Sequence, residues 1–194
     1  SEYSLNGCTK LEKLTIPFVG ANRDINNTYE GVLGYIFGRC ENSDHNCVLQ
    51  YSSLEGSSLS GYYYAIPDTL KTVVITDAKQ LPIGSFSNLI NLESLTLNSG
   101  IAVIGAYVFY DSNGLKDIYY CDWESEWNKI EIGKGNQRLD KVKIHFLGPG
   151  IINTIEVSWG DLEFTYLDGK WNASTHEYEN SGWKVNSSDG DTVV

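Results

Sequence analysis

"IGSFSNLINLESLTLNSGIAVIGAYVF", residues 83–109, states one phrase twice: Ile83-Gly84 with Phe86 behind it, then Ile104-Gly105 with Phe109 behind it, and Leu92, Leu95 and Leu97 between. Working outward, the middle part recurs along the chain. Leu-x-x-apolar-x-apolar is read as Leu11-Leu14-Ile16, Leu70-Val73-Ile75, Leu92-Leu95-Leu97, Leu115-Ile118-Tyr120 and Leu139-Val142-Ile144. The last four begin 22, 23 and 24 residues apart, inside the roughly 20–29-residue period of leucine-rich repeats. Within each phrase the last two apolar positions alternate with polar ones, which predicts a short half-buried strand. The leucine three residues earlier fills the corner under it. Downstream, each Ile-Gly pair supplies an inward side chain and then a residue without Cβ where the backbone must bend or approach a neighbour.

One such unit buries too few apolar groups to offset the ordering of its own backbone, so copies must stack in register. The reading is therefore a β-rich leucine-rich repeat solenoid of about five coils with short helical turns. It sets Ile83 over Ile104, Gly84 over Gly105 and Phe86 over Phe109. Domain bounds follow: 1–147 for the repeats, with a Tyr-rich insertion at about 18–66, and 148–194 for a small partial all-β unit beyond the "LGPG" break. In that unit Ile155, Val157 and Trp159, then Leu162, Phe164 and Tyr166, alternate, "LDGKW" reads as an Asp-Gly hairpin turn, and Trp171, Tyr178 and Trp183 are its expected core. The chain stops at Val193-Val194 in what reads as another strand, so the natural protein is expected to continue. Between Leu115 and Leu139 the phenylalanine plug is replaced by Trp123 and Trp127, which a helical turn would place on one face.

The 194 residues are 41% hydrophobic and 20% charged, ordinary for a folded soluble chain. Fourteen basic against 25 acidic residues leave a net charge of −11, a field that repels phosphate backbones and anionic membranes. Nucleic acid is excluded as an expected partner. The longest apolar run, Ile101–Ile104, is far short of the ~20 residues that span a bilayer, and no charged-then-apolar leader precedes it. The sequence lacks methionine, so residue 1 is read as an internal or processed position.

With "LESLTLNSGIAVIGAYVFYDSNGL" laid out, the chain resembles the BspA-like leucine-rich repeats of bacterial surface proteins, whose unit runs Leu-x-x-Ile-x-Ile-Pro-x-x-Val-x-x-Ile-Gly-x-x-Ala-Phe-x-x-Cys. "LEKLTIPFVGANRDINNTYEGVLGYIFG", "YYYAIPDTLKTVVITDAKQLPIGSFSNL" and "IYYCDWESEWNKIEIGKGNQRLDKVKIHF" are similar to elements of such proteins from gut Gram-positive bacteria. "WGDLEFTYLDGKWNASTHEYENSGW" is similar to a β segment that follows their repeats. The resemblance implies a secreted or cell-wall-attached protein. Ser85 and Val108 stand where the unit has alanine, and Asn88 and Asp111 where it has cysteine; Cys8 alone keeps that place and is expected as a buried thiol. Cys121, following the inward Tyr120, is expected to point outward.

Chemistry is sparse. Cys40 and Cys47 flank His45 in "CENSDHNC", and three readings stay open: a disulfide across the loop, a zinc site short of its four ligands, or two free thiols. No Gly-x-Ser-x-Gly elbow is present, and His45, His145 and His176 stand in no Ser or Cys context that marks a nucleophile. Glu124, Glu126 and Glu131 read as solvation, "GKGNQ" as a turn, and "SSDGD" is a weak calcium-loop motif. No catalytic residue, metal or cofactor is assigned. Binding candidates come from strand parity, which turns outward Lys13 and Thr15; Thr72, Val74 and Thr76; Ser94, Thr96 and Asn98; Asp117 and Tyr119; Lys141, Lys143 and His145. Tyr62, Tyr63 and Tyr64 form the second candidate, since tyrosine joins apolar area to a polar tip and three in a row cannot all be buried on one side of a strand. The expected function is a non-enzymatic extracellular interaction or adhesion module for a host protein, a glycan or a neighbouring surface component. The alternative is a rigid spacer or a carbohydrate-binding appendage of a larger surface enzyme.

Overall fold

The computed structural model describes residues 2–24, 27–40, 47–149, 156–159, 162–172, 177–186 and 192–193. Along the chain come β1 (Lys13–Ile16), β2 (Val48–Glu55), β3 (Ser58–Tyr64), β4 (Thr72–Ile75), β5 (Gln80–Leu81), β6 (Ser94–Leu97), β7 (Val103–Ile104), β8 (Asp117–Tyr120), the single-turn helix α1 (Glu124–Trp127), β9 (Glu131–Ile132) and β10 (Lys143–Phe146). Strands β1, β4, β6, β8 and β10 lie side by side in that order as one parallel sheet. Leu14, Val73, Leu95, Ile118 and Ile144 stand abreast across it. Alternation explains the sheet: Val73, Ile75, Leu95, Leu97, Ile118 and Tyr120 are buried, while the residues between them stay half exposed. Leu70, Leu92 and Leu115 are buried beneath the strands they precede.

A second, three-stranded parallel sheet joins β5, β7 and β9. Its register corrects the pairing expected from the repeated phrase. Leu81, not Ile83, lies abreast of Ile104, and Ile132 follows. The amide of Gly84 bonds the carbonyl of Ala106, so Gly84 matches Tyr107 rather than Gly105. Phe86 and Phe109 do stack, with ring centroids 6.2 Å apart, both fully buried.

The five-coil solenoid is corrected by these sheets. Only β4, β6 and β8 are followed by a strand of the second sheet; β1 leads into 3-10 turns and an antiparallel ribbon, and β10 leads out toward antiparallel strands. The architecture is a parallel-strand arrangement of five and three strands with an antiparallel β2–β3 pair. The reason is physical: a phrase of six residues encodes a strand and its corner, whereas a coil also needs matching turns, which the first and last phrases lack.

The expected insertion is part of the core. Val19, Val32, Leu33, Ile36 and Phe37 are buried, two 3-10 turns cover Tyr29–Gly31 and Leu33–Ile36, and Tyr64 lies fully inside against Gly34, where a Cβ would strike its ring. Gln50 fastens the ribbon. Its Oε1 accepts from Gly34 N at 2.6 Å and its Nε2 donates to Ser85 O at 3.0 Å, all buried. Gly84, at φ 59°, lets the Tyr51 carbonyl press where a Cβ would stand.

Other expectations are corrected. Trp123 precedes α1 and is 58% exposed, while Trp127 is buried, so the two do not share a face. Cys8 is exposed rather than buried, and Cys121 is buried rather than outward, because the chain turns inward directly after β8. Backbone strands β11 (Glu156–Trp159), β12 (Leu162–Asn172), β13 (Glu177–Asn186) and β14 (Thr192–Val193) form an antiparallel sheet in chain order. Asp168 and Gly169 run inside β12 and are not its hairpin turn; Asp168 pairs with Ser181 and Lys170 with Glu179. The expected aromatic core of this unit, His45, His176 and the "SSDGD" motif lie outside the described residues and side chains.

Candidate functional site

The exposed face of the five-stranded sheet carries the parity candidates, and its polar groups answer one another. Thr72 and Ser94 share a hydroxyl hydrogen bond of 3.0 Å. His145 Nε2 meets Asp117 Oδ1 at 2.8 Å, and its ring stacks on Tyr119 with centroids 4.6 Å apart and planes 12° from parallel. Thr96 is half-buried between Val74 and Tyr119, and Lys143 stands exposed beside Asp117. Three candidates leave this face. Asn98 is buried, its Oδ1 accepting from Ala78 N at 2.9 Å and its Nδ2 donating to Ala78 O at 2.8 Å, because β6 ends at Leu97 and parity no longer applies. Thr76 lies past the end of β4, and Lys141 sits in the 3-10 turn Gln137–Lys141 ahead of β10.

Behind the ribbon, a cleft of about 460 Å³ opens between Leu49, Ile66, Pro67, Leu70, Asn88 and Ile90. Ile90 is 62% exposed at its rim. Asn88, at its edge, is turned into the protein, where its Nδ2 donates to Leu49 O at 2.6 Å.

The tyrosine cluster divides. Tyr64 is removed as a candidate: it is fully buried, donates its hydroxyl to Tyr29 O at 2.8 Å, and burial pushes its phenol up to about 12 against a smaller lowering by Arg39. Tyr63 is half-buried; Tyr62 is 45% exposed. Alternation along β3 sets Tyr63 on the opposite face from Tyr62 and Tyr64; of the two that share a face, Tyr64 packs inward against Gly34 while Tyr62 meets Arg39.

Around Tyr62 the fold assembles residues the sequence did not single out. The Arg39 guanidinium carbon lies 3.9 Å from the centroid of Tyr62 and 4.0 Å from that of Tyr29. The two rings are 6.0 Å apart and inclined at 73°, so the cation sits in the corner of an L. Tyr35 borders Tyr29 at 6.5 Å, and the Tyr3 ring lies over Gly38. Among the described residues Arg39 forms no salt bridge, and its covered Nε has no acceptor. The Glu30 carboxylate, by hydrogen bond and by charge, pushes the Tyr29 phenol up, with Glu2 adding a smaller push. Positioning is local: the bridge of Arg39 to Tyr64 ties Gly38–Cys40 to β3, the 3-10 turn holds Tyr29, and a disulfide joins Cys40 to Cys47.

No known family model matches the chain, and no curated protein or solved structure matches it either. Among the described residues no three His, Cys, Asp or Glu side chains are grouped so as to hold a metal, and no helix is long and apolar enough to cross a membrane. Arg39 left little trace in the sequence beyond being one of 14 basic residues set directly before a cysteine. Tyr29 and Tyr62 are 33 positions apart and obey no common period.

Proposed function

We propose that the chain is a non-enzymatic interaction module working outside a bacterial cell, taking a host protein, a glycan or a neighbouring surface component. The observation that carries this reading is Arg39, set between two exposed tyrosines and without an ion pair among the described residues. Tyrosine and arginine are enriched among the side chains that dominate recognition surfaces, tyrosine offering rigid amphipathic area and arginine a fork of directed donors. The Cys40–Cys47 disulfide suits an oxidising compartment, and the stretches resembling BspA-like surface proteins support the same placement. The −11 charge weighs against nucleic acid.

A rigid spacer is the second reading, favoured by the self-satisfied sheet face, where Thr72–Ser94 and Asp117–His145 leave few groups for a ligand. The test is a screen of the purified chain against host matrix proteins and glycans, with Tyr62→Ser and Arg39→Lys beside the wild type. Capture by the wild type and loss in both variants supports the module. Capture that both variants keep moves the site away from the corner, and no capture at all supports the spacer.

A further inference from the structure

We infer that the cleft behind the β2–β3 ribbon takes a short extended segment of a partner protein in which an aliphatic side chain stands beside a lysine or arginine, the aliphatic group between the walls and the cation on Asp68. This deepens the interaction reading and rests on it, at a place that shares no lining residue with the Tyr29–Arg39–Tyr62 corner.

The walls set the first demand. The cleft has a volume of about 460 Å³ and is lined by Leu49, Ile66, Pro67, Leu70 and Ile90, a size and a lining suited to holding a ligand. Among the described residues that line it there is no aromatic ring. A sugar or a planar guest finds no stacking surface there, whereas an aliphatic group meets like groups on several sides. Ile90 adds a demand of its own. At 62% it is the most exposed large apolar side chain among the described residues, while Leu89 and Leu92 on either side of it are buried. An aliphatic guest against Ile90 takes that area out of water.

Charge sets the second demand. Asp68 is exposed, forms no ion pair among the described residues, and is the only charged side chain among them that lines the cleft. The chain around it carries −11 overall. A fatty acid or an acidic peptide is repelled there, whereas a cation carried next to an aliphatic group suits walls and carboxylate together. Polar groups then separate a peptide from a simple alkyl amine. Thr9 and Asn91 line the cleft besides Asp68, while Asn88 is already engaged with Leu49 O. An amine has one polar end and answers one of these groups. A backbone brings an N–H and a C=O with each residue and answers several.

The test is an NMR titration of the whole 194-residue chain, followed at the backbone signals of Asp68 and Ile90. The probes are the acetylated, amidated peptides Gly-Leu-Lys-Gly, Gly-Leu-Glu-Gly and Gly-Ser-Lys-Gly, with hexylamine as the simple amine. Gly-Leu-Lys-Gly is expected to saturate at about 1–10 mM, and each of the other probes to bind about tenfold more weakly or less. Its Kd should rise about twofold or more between low and ~0.5 M salt, since an exposed ion pair forms on binding. Asp68→Asn and Ile90→Ser, both at exposed positions, should leave the melting temperature unchanged. The first should bring the lysine and glutamate peptides within about twofold of each other. The second should weaken Gly-Leu-Lys-Gly about fivefold. Equal or tighter binding of the glutamate peptide overturns the inference, as does tighter binding of hexylamine, Gly-Leu-Lys-Gly binding untouched by both variants, or no saturation by that peptide. If it fails to saturate while the chain captures a protein that Tyr62→Ser releases, the cleft fails as a site and the interaction reading stands.

Discussion

Gly84, Tyr107 and Gly135 hold matching places in successive turns, with φ of 59°, 56° and 81°, since the Gly84 amide bonds Ala106 O and the Tyr107 amide bonds Lys134 O. Asn88 and Asp111 match in the same way, at φ 59° and 52°. A left-handed backbone is what these positions share, and Asn and Asp reach it more readily than other side chains. Asp111→Val should therefore cost about 1–2 kcal/mol and Asp111→Gly less than about 0.5, read by urea unfolding. Gly84→Ala combines positive φ with a collision at Tyr51 O, and should cost more than about 2 kcal/mol in the same measurement. Gln50→Leu leaves the buried Gly34 N–H without an acceptor, while Ser85 O keeps the Leu33 N–H, an expected loss of about 1–3 kcal/mol in the same unfolding measurement. The thiols make a further contrast: exposed Cys8 should react with a thiol reagent in the native chain, while buried Cys121 should react only on unfolding.

At the scale of elements, the β2–β3 ribbon is held at both ends. Gln50, Ser87 and Asn88 fasten its inner edge, with Tyr51 N donating to Ser87 Oγ at 3.0 Å, and the disulfide ties its start to Arg39's neighbour. Closing a loop between cysteines seven positions apart stabilises by about 2.5 kcal/mol. Reduction should lower the melting temperature and, by freeing Cys40, loosen the chain around Arg39, read as a lower midpoint under dithiothreitol. The stacked Phe86–Phe109 pair joins the turns of the two sheets; Phe109→Ala should cost about 3–5 kcal/mol, checked by chemical denaturation. The Phe86–Phe109 stack followed from the repeated phrase, whereas the contacts of Gln50 and Asn136 were hidden from periodicity, because both are polar residues at single positions. Asn136 accepts from Phe109 N at 3.1 Å and donates to Gly105 O and Gly133 O at 2.8 Å, a bridge no spacing announces.

For the whole molecule, three buried groups set the alkaline limit. Burial pushes Cys121 from 9.0 up to about 12, and Tyr64 and Tyr120 from 10.0 up to about 12. Each is raised in the fold, so its contribution is complete below the unfolded value and disappears as pH climbs through the folded one. The unfolded chain then binds fewer protons, and stability falls with pH. The urea midpoint should decline between about pH 9 and 12, and Cys121→Ala should delay the onset. At this scale the sequence by itself determined where four strands of the larger parallel sheet lie: β1, β4, β6 and β8 each begin two residues after a corner leucine, because alternation and that leucine are local demands. By contrast, β10 begins four after Leu139 and sets Ile144, not Val142, beside Ile118. It also determined the chain's acidity. What only the tertiary structure decided is how those strands are joined: the incomplete first and last units, the offset of Leu81 to Ile104, and the packing of the supposed insertion into the core. The Tyr29–Arg39–Tyr62 corner belongs to the same class. Its rings come from a 3-10 turn and a hairpin strand and meet only after the chain has closed on itself, so no local pattern could record their 6.0 Å approach.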